Sequence, residues 1–221
     1  MTGLLICTAL GIEAWAVKRG LDPSADARVL RTGVGPRRAA RAAAALPRHR
    51  ALAVVGFAGA LDASLRPGEV LVASEIRFGA RVFSCPSARP LAGELARAGL
   101  PVRTGTLLTS DHVVTGAERS RLAAGGAHAV DMETGPLTVA AVAAGRPLAA
   151  VRVIVDTPHA PLAGPATLRG ADLARRALHR LGSVLTRWAA GTGPRDAPVG
   201  AQERRVIRET VRFTPLREVR S

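Results

Sequence analysis

Apolar residues fall in short runs along this chain, separated by stretches where alanine and arginine mix at helical spacing. Runs of five to eight apolar residues bounded by Gly or Pro read as buried strands, and the Ala/Arg stretches as helices with one covered face. On that basis strands are expected at Gly3 to Leu10, Ala27 to Thr32, Ala51 to Gly56, Gly68 to Ser74, Val102 to Leu108, His128 to Asp131 and Leu148 to Val155. Helices are expected at Pro36 to Leu46, opened by its proline, and at Ala117 to Ala124, Gly135 to Ala144 and Gly170 to Ala189. Strands that alternate with helices predict an α/β fold with helices on both faces of a largely parallel sheet.

The pattern fades near Gly191. GTGPRDAPVG is linker-like, and AQERRVIRETVRFTPLREVRS carries too few apolar residues for a core of its own. The expected organisation is one domain over 1–190 and a basic, mobile tail over 191–221. Within the tail, Val206, Ile207, Val211 and Phe213 form a weak apolar stripe.

Composition changes this picture only at the margins. The chain has 221 residues, 48% of them hydrophobic, enough for a single large core. Its net charge of +14 invites a nucleic-acid or anionic-membrane reading. Against nucleic acid, the arginines are dispersed through amphipathic segments, and two Trp and four Phe leave little for base stacking. Lysine occurs once, at Lys18, so arginine carries nearly all the positive charge.

Cys7 and Cys85 make no disulfide framework, and His49, His112, His128, His159 and His179 show no metal-ligand spacing. No metal and no cofactor is expected. The apolar start lacks a basic region and is interrupted by Glu13, so it reads as a buried strand rather than a secretory signal. A cytoplasmic protein is expected, with room for peripheral contact at a membrane.

Three carboxylates stand where apolar runs end: Glu13 after the first strand, Glu133 within DMET, and Asp156 directly after VRVIV. In open α/β sheets the ligand crevice lies at such strand ends. Gly33-Val34-Gly35 and Gly56-Phe57-Ala58-Gly59 are expected as turns that let a ligand approach the backbone closely. Ser110-Asp111-His112 lists the residue types of a catalytic triad, but adjacent residues cannot adopt triad geometry, and the segment is expected as a loop.

The order LLICTALGIE, RTGVGPRRAARAA, VVGFAGALDASLRPGEVLVAS, TGTLLTSDHVV, AVDMET, VRVIVDT resembles the nucleoside phosphorylase/nucleosidase superfamily across residues 4–190. The most similar branch holds methylthioadenosine/S-adenosylhomocysteine nucleosidases and hopanoid-associated phosphorylases. The resemblance implies a three-layer α/β/α sandwich around a mixed, curved sheet, assembled as a homodimer. It also implies that Glu13 positions or activates the attacking water and that Asp156 protonates or hydrogen-bonds N7 of the departing purine. Met132 would pack on the ribose, whose hydroxyls Glu133 would bind. Gly56, Phe57, Ala58 and Gly59 would border the substrate, and Val113 and Val114 would meet the base.

The chemistry suits these residue types. Breaking C1′–N9 builds positive charge on the sugar, which nearby anions stabilise, and the purine leaves readily only when protonated. The acid must hold a proton near neutral pH, which apolar Val155 and a closed pocket around Asp156 would favour by desolvation.

Three departures from the family pattern stand out. Val54 and Phe57 occupy places where phosphorylases carry the Arg and Ser that hold phosphate, so water is the expected acceptor. Val113 replaces the aromatic that stacks on adenine, and Val155 replaces the serine before the acid. The resemblance implies adenine release from a 5′-substituted adenosine, with adenosylhopane first. Methylthioadenosine or S-adenosylhomocysteine, and futalosine, follow as alternatives. A basic binding module on a degenerate nucleosidase fold is the non-enzymatic reading.

Overall fold

A computed structural model describes the backbone of residues 2–158 and 165–201 and the side chains of 2–158 and 172–200. Nine strands form its sheet among the described residues, the first five being β1 (Thr2–Thr8), β2 (Ala27–Arg31), β3 (His49–Ala60), β4 (Val70–Phe78) and β5 (Arg81–Ser84). Then come β6 (Val102–Thr109), β7 (Ala129–Asp131), β8 (Leu148–Asp156) and β9 (Val199–Ala201). The helices are α1 (Gly11–Arg19), α2 (Pro36–Ala44), α3 (Ala88–Arg97), α4 (Gly116–Ala124), α5 (Thr134–Ala143) and α6 (Pro165–Gly191).

The sheet is mixed. β1 pairs in parallel with β2 and β3, and β3 in parallel with β8 from Leu52 to Gly59. β8 runs antiparallel to β4, β4 parallel to β6, and β6 parallel to β7, which returns antiparallel to β3 at Gly59 and Ala60. These five pairings close β3, β8, β4, β6 and β7 into a ring. The strong curvature that closure demands distinguishes this sheet from an open doubly wound one.

Helices α1, α3 and α6 pack together on one side, and α2 with α5 on the other, giving three layers. Near-continuous apolar runs are expected of strands covered on both faces. Accordingly, β1, β3 and β8 are buried along almost their whole length.

The expected strands are all present, with shifted ends. Helix α1 went unrecognised because Gly11–Arg19 shows no clean apolar stripe: Glu13, Ala16 and Val17 are buried while Ile12 and Trp15 are exposed. Helix α3 was also missed, although Leu91 and Leu95 anchor it at helical spacing. A larger correction concerns Gly56-Phe57-Ala58-Gly59, which is not a turn. It continues β3 to Ala60, with a register irregularity against β8 between Ala58 and Gly59.

The linker reading of 191–200 is likewise revised. Residues Pro194–Asp196 form a short 3-10 turn, and β9 pairs antiparallel with β5, covering an edge. His159 and the 206–213 stripe lie outside the described residues. Among the described residues, no helix is long and apolar enough to cross a membrane.

Candidate active site

A cleft of about 510 Å³ opens where β1, β3, β7 and β8 end. Glu13, Glu133 and Asp156 all line it, together with Phe57, Ala58, Gly59, Val113, Val114 and Met132. Gly56 does not line it and belongs to the supporting layer beneath.

Glu13 sits in the first turn of α1, where a carboxylate is favoured by the helix's free N–H groups. Its Oε2 accepts hydrogen bonds from the Ala9 and Leu10 amides at 2.9 and 2.8 Å. Its Oε1 accepts from the Phe57 amide at 2.7 Å, tying the start of α1 to β3. The side chain is therefore both a helix cap and a carboxylate held in place on the cleft wall.

Glu133 follows β7 by two residues, at the N-cap of α5, and its Oε1 accepts from the buried Gly35 amide at 2.8 Å. Gly35 has φ +94°, a conformation that side chains rarely adopt, so this donor depends on glycine. Burial pushes the Glu133 carboxyl above its ordinary range, and the neighbouring carboxylates of Asp131 and Glu13 push the same way. Arg152 and the Gly35 amide oppose them.

Arg152 is the residue that the sequence reading missed. It lies mid-strand in β8, only 1% exposed, among carboxylates from three elements. Its Nη2 donates to Asp131 and, at 2.8 Å, to Thr134 Oγ1, and stands 3.8 Å from Glu133 Oε2. Asp131, Glu133 and Glu13 together favour its charged form against desolvation. An arginine inside an otherwise apolar strand was the available signal, because such a charge is buried only when paired.

Gly56 makes this layer possible. A Cβ there would stand 2.6 Å from Arg152 Nη1 and 2.7 Å from Glu13 Oε1. We expect Gly56→Ala to displace both groups and to lower kcat about 10²-fold, the scale of a one-ångström misplacement. Steady-state kinetics alongside thermal unfolding checks it: full activity, or loss of the fold, contradicts the placement.

At the other end of the cleft, Asp156 is buried but not in the apolar surroundings expected for it. It is ion-paired with Arg119 Nη2 from α4. Arg119 Nε also donates to the Val114 carbonyl at 3.2 Å, joining the β6–α4 loop to the end of β8. Gly59 leaves room for this pair, since a Cβ there would stand 2.6 Å from Arg119 Nη2. Sequence gave no cue to Arg119, which is one arginine among many on helical segments.

Val113 is strongly exposed at the rim, and the Ser110-Asp111-His112 segment is the expected loop. There Asp111 Oδ1 lies 2.7 Å from His112 Nδ1, and Glu118 Oε2 lies 3.0 Å from Nε2. These two carboxylates raise the imidazole above its ordinary range. Among the described residues, no group of His, Cys, Asp and Glu is arranged to hold a metal ion.

The site thus sets acidic groups at the strand ends of a curved mixed sheet between helical layers. The chain belongs to the phosphorylase superfamily, whose family model matches residues 13–189. No curated protein matches the sequence.

Solved structures share the fold at low identity. A Campylobacter jejuni 5′-methylthioadenosine/S-adenosyl homocysteine nucleosidase superposes with TM-score 0.72 at 14% identity, covering 87% of this chain and 100% of that one. The Colwellia psychrerythraea 34H enzyme of that activity, in complex with adenine, gives 0.65 at 20%, with 85% and 94% covered. The futalosine hydrolase of Helicobacter pylori strain 26695 gives 0.67 at 16%, with 86% and 97% covered.

Proposed function

We propose that this protein hydrolyses the ribose–purine bond of a 5′-substituted purine nucleoside. The observation that carries this reading is the convergence of Glu13, Glu133 and Asp156 on one cleft, with buried Arg152 facing the first two and Arg119 paired with the third. Nucleosidase activity in solved structures of the same fold supports it.

In this reading Glu133 accepts hydrogen bonds from the ribose hydroxyls, and Met132 packs on the sugar. As C1′–N9 breaks, its electron pair passes to the purine and a proton moves from Asp156 to N7. Water adds to C1′ and gives a proton to Glu13, whose three backbone donors hold it in place. The carboxylates also stabilise the positive charge that develops on the sugar.

Water is preferred to phosphate on the observation that Val54 is buried and Phe57 presents a phenyl ring, while the Phe57 amide already serves Glu13. Neither side chain can pair with a phosphate dianion. Purine release is therefore expected at the same rate with and without phosphate, with the 5-substituted ribose as the sugar product by mass spectrometry. The corresponding 5-substituted ribose 1-phosphate would reverse the assignment.

For the 5′ group we favour a bulky apolar substituent, as in adenosylhopane. Leu10, Val34 and Val113 give the cleft an exposed apolar rim. Rates on 5′-alkylthioadenosines of increasing chain length test this. A steady fall in kcat/KM with length would favour the methylthioadenosine alternative.

A further inference from the structure

Beside the cleft, helix α1 turns an apolar surface to solvent. Ile12 and Trp15 lie one turn apart and are 51% and 49% exposed, next to Leu10 on the cleft rim. Continuing the same stripe by three and four residues brings Lys18 and Arg19. The guanidinium groups of Arg19 and Arg175 lie 5.4 and 5.7 Å from the centre of the Trp15 ring. Arg31 comes within 3.5 Å of where a Cβ on Gly11 would stand, adding a cation at the helix start. Asp172 partly offsets Arg175, at 2.9 Å.

Single exposed apolar residues are ordinary, but Leu10, Ile12 and Trp15 adjoin one another, and a contiguous apolar patch with polar flanks marks an interaction surface. A tryptophan flanked by cations, beside aliphatic side chains, is the composition that settles at the boundary between lipid headgroups and acyl chains. The charge decides between the two available covers. A symmetric contact with a second copy would set this patch, with its cations, against itself. An anionic lipid surface complements them.

We propose that the α1 face, centred on Ile12 and Trp15, docks on an anionic lipid bilayer and holds the cleft mouth at the membrane surface. The docking itself is independent of the reaction. That it delivers a lipid-borne nucleoside to Glu13 and Asp156 rests on the proposed nucleosidase reading.

The test uses the full chain without nucleoside. Sedimentation is compared on vesicles of phosphatidylcholine and of equimolar phosphatidylcholine and phosphatidylglycerol. Wild type is expected to bind the anionic vesicles, to release with salt, and to show a blue-shifted Trp15 emission over the constant signal of buried Trp188. An Ile12→Ser/Trp15→Ser double variant should lose at least about tenfold in binding, as removal of two interfacial apolar groups implies. It should keep wild-type turnover of a water-soluble 5′-alkylthioadenosine.

Unchanged vesicle binding in the variant would overturn the proposal, leaving the charge elsewhere on the chain as the cause. So would a shift from dimer to monomer by light scattering with no vesicle binding in wild type. If wild type binds and the variant does not, yet neither releases purine, the docking stands and the nucleosidase reading fails alone.

Discussion

Replacing Asp156 by asparagine should lower kcat about 10²–10⁴-fold, the usual scale of general acid catalysis, while KM changes little. The amide still reaches N7 and can donate a hydrogen bond to it, but it has no proton to give up as C1′–N9 breaks. Arg119 makes the expectation sharper. In the structure it donates to Asp156 and, through Nε, to the Val114 carbonyl. That cation stabilises the carboxylate that the transfer to N7 leaves behind.

Arg119→Met is accordingly expected to lose less than Asp156→Asn but to alter the pH dependence of kcat/KM, whereas Glu133→Gln should raise KM as well as lower kcat. Rates measured on a soluble 5′-alkylthioadenosine across neutral pH separate the three. Equal, mild losses from all of them would return the chain to a binding module.

The second large effect concerns stability. Arg152→Met keeps the side chain's bulk but removes the one cation among Asp131, Glu133 and Glu13. Leaving buried charge without its partner costs about 3–5 kcal/mol. For a chain of this length that corresponds to a fall in Tm of about 6–20 °C.

The pH dependence follows from the direction of the Glu133 shift. Its folded-state pKa is raised, so its stabilising contribution is present below the unfolded pKa and is lost as pH rises through the folded one. Arg152 is among the groups that hold this rise down. Its removal should thus enlarge the rise and deepen the loss toward neutral pH. The variant's Tm deficit is expected to be smallest in mild acid and to grow toward neutral pH, followed by calorimetry. A deficit that does not change with pH would mean that packing, not charge, is what Arg152 supplies.

How much of this was legible beforehand differs from element to element. Strands β1, β3, β4 and β8 announce themselves because burial on both faces demands unbroken apolar runs, as in LAAVRVIV. Helix α1 does not, because one side buries the Glu13 carboxylate while the other leaves Ile12 and Trp15 in solvent.

The three acidic positions were readable as strand ends, but their supporting layer was not. Arg152 and Asp131 lie 21 residues apart and meet only because β8 and β7 both flank β3. Gly56 and Gly59 looked like turn residues, since the sequence does not say that a neighbouring side chain will occupy the space a Cβ would fill. Their role depends on Arg152, Glu13 and Arg119 arriving from other elements.

The closed ring of β3, β8, β4, β6 and β7 also bears on what holds the site in place. Each of these strands is hydrogen-bonded to a neighbour on both sides, so none can fray without breaking two ladders at once. Asp156 ends β8 within this ring, Glu133 follows β7 by two residues, and Glu13 is bonded to it through Phe57. The Gly33–Gly35 turn and the loop between β6 and α4 lie outside that ring, and each is tied to the site by a polar contact: the Gly35 amide on Glu133, and Arg119 between Val114 and Asp156. A displacement of either segment would therefore be felt at the carboxylate it touches.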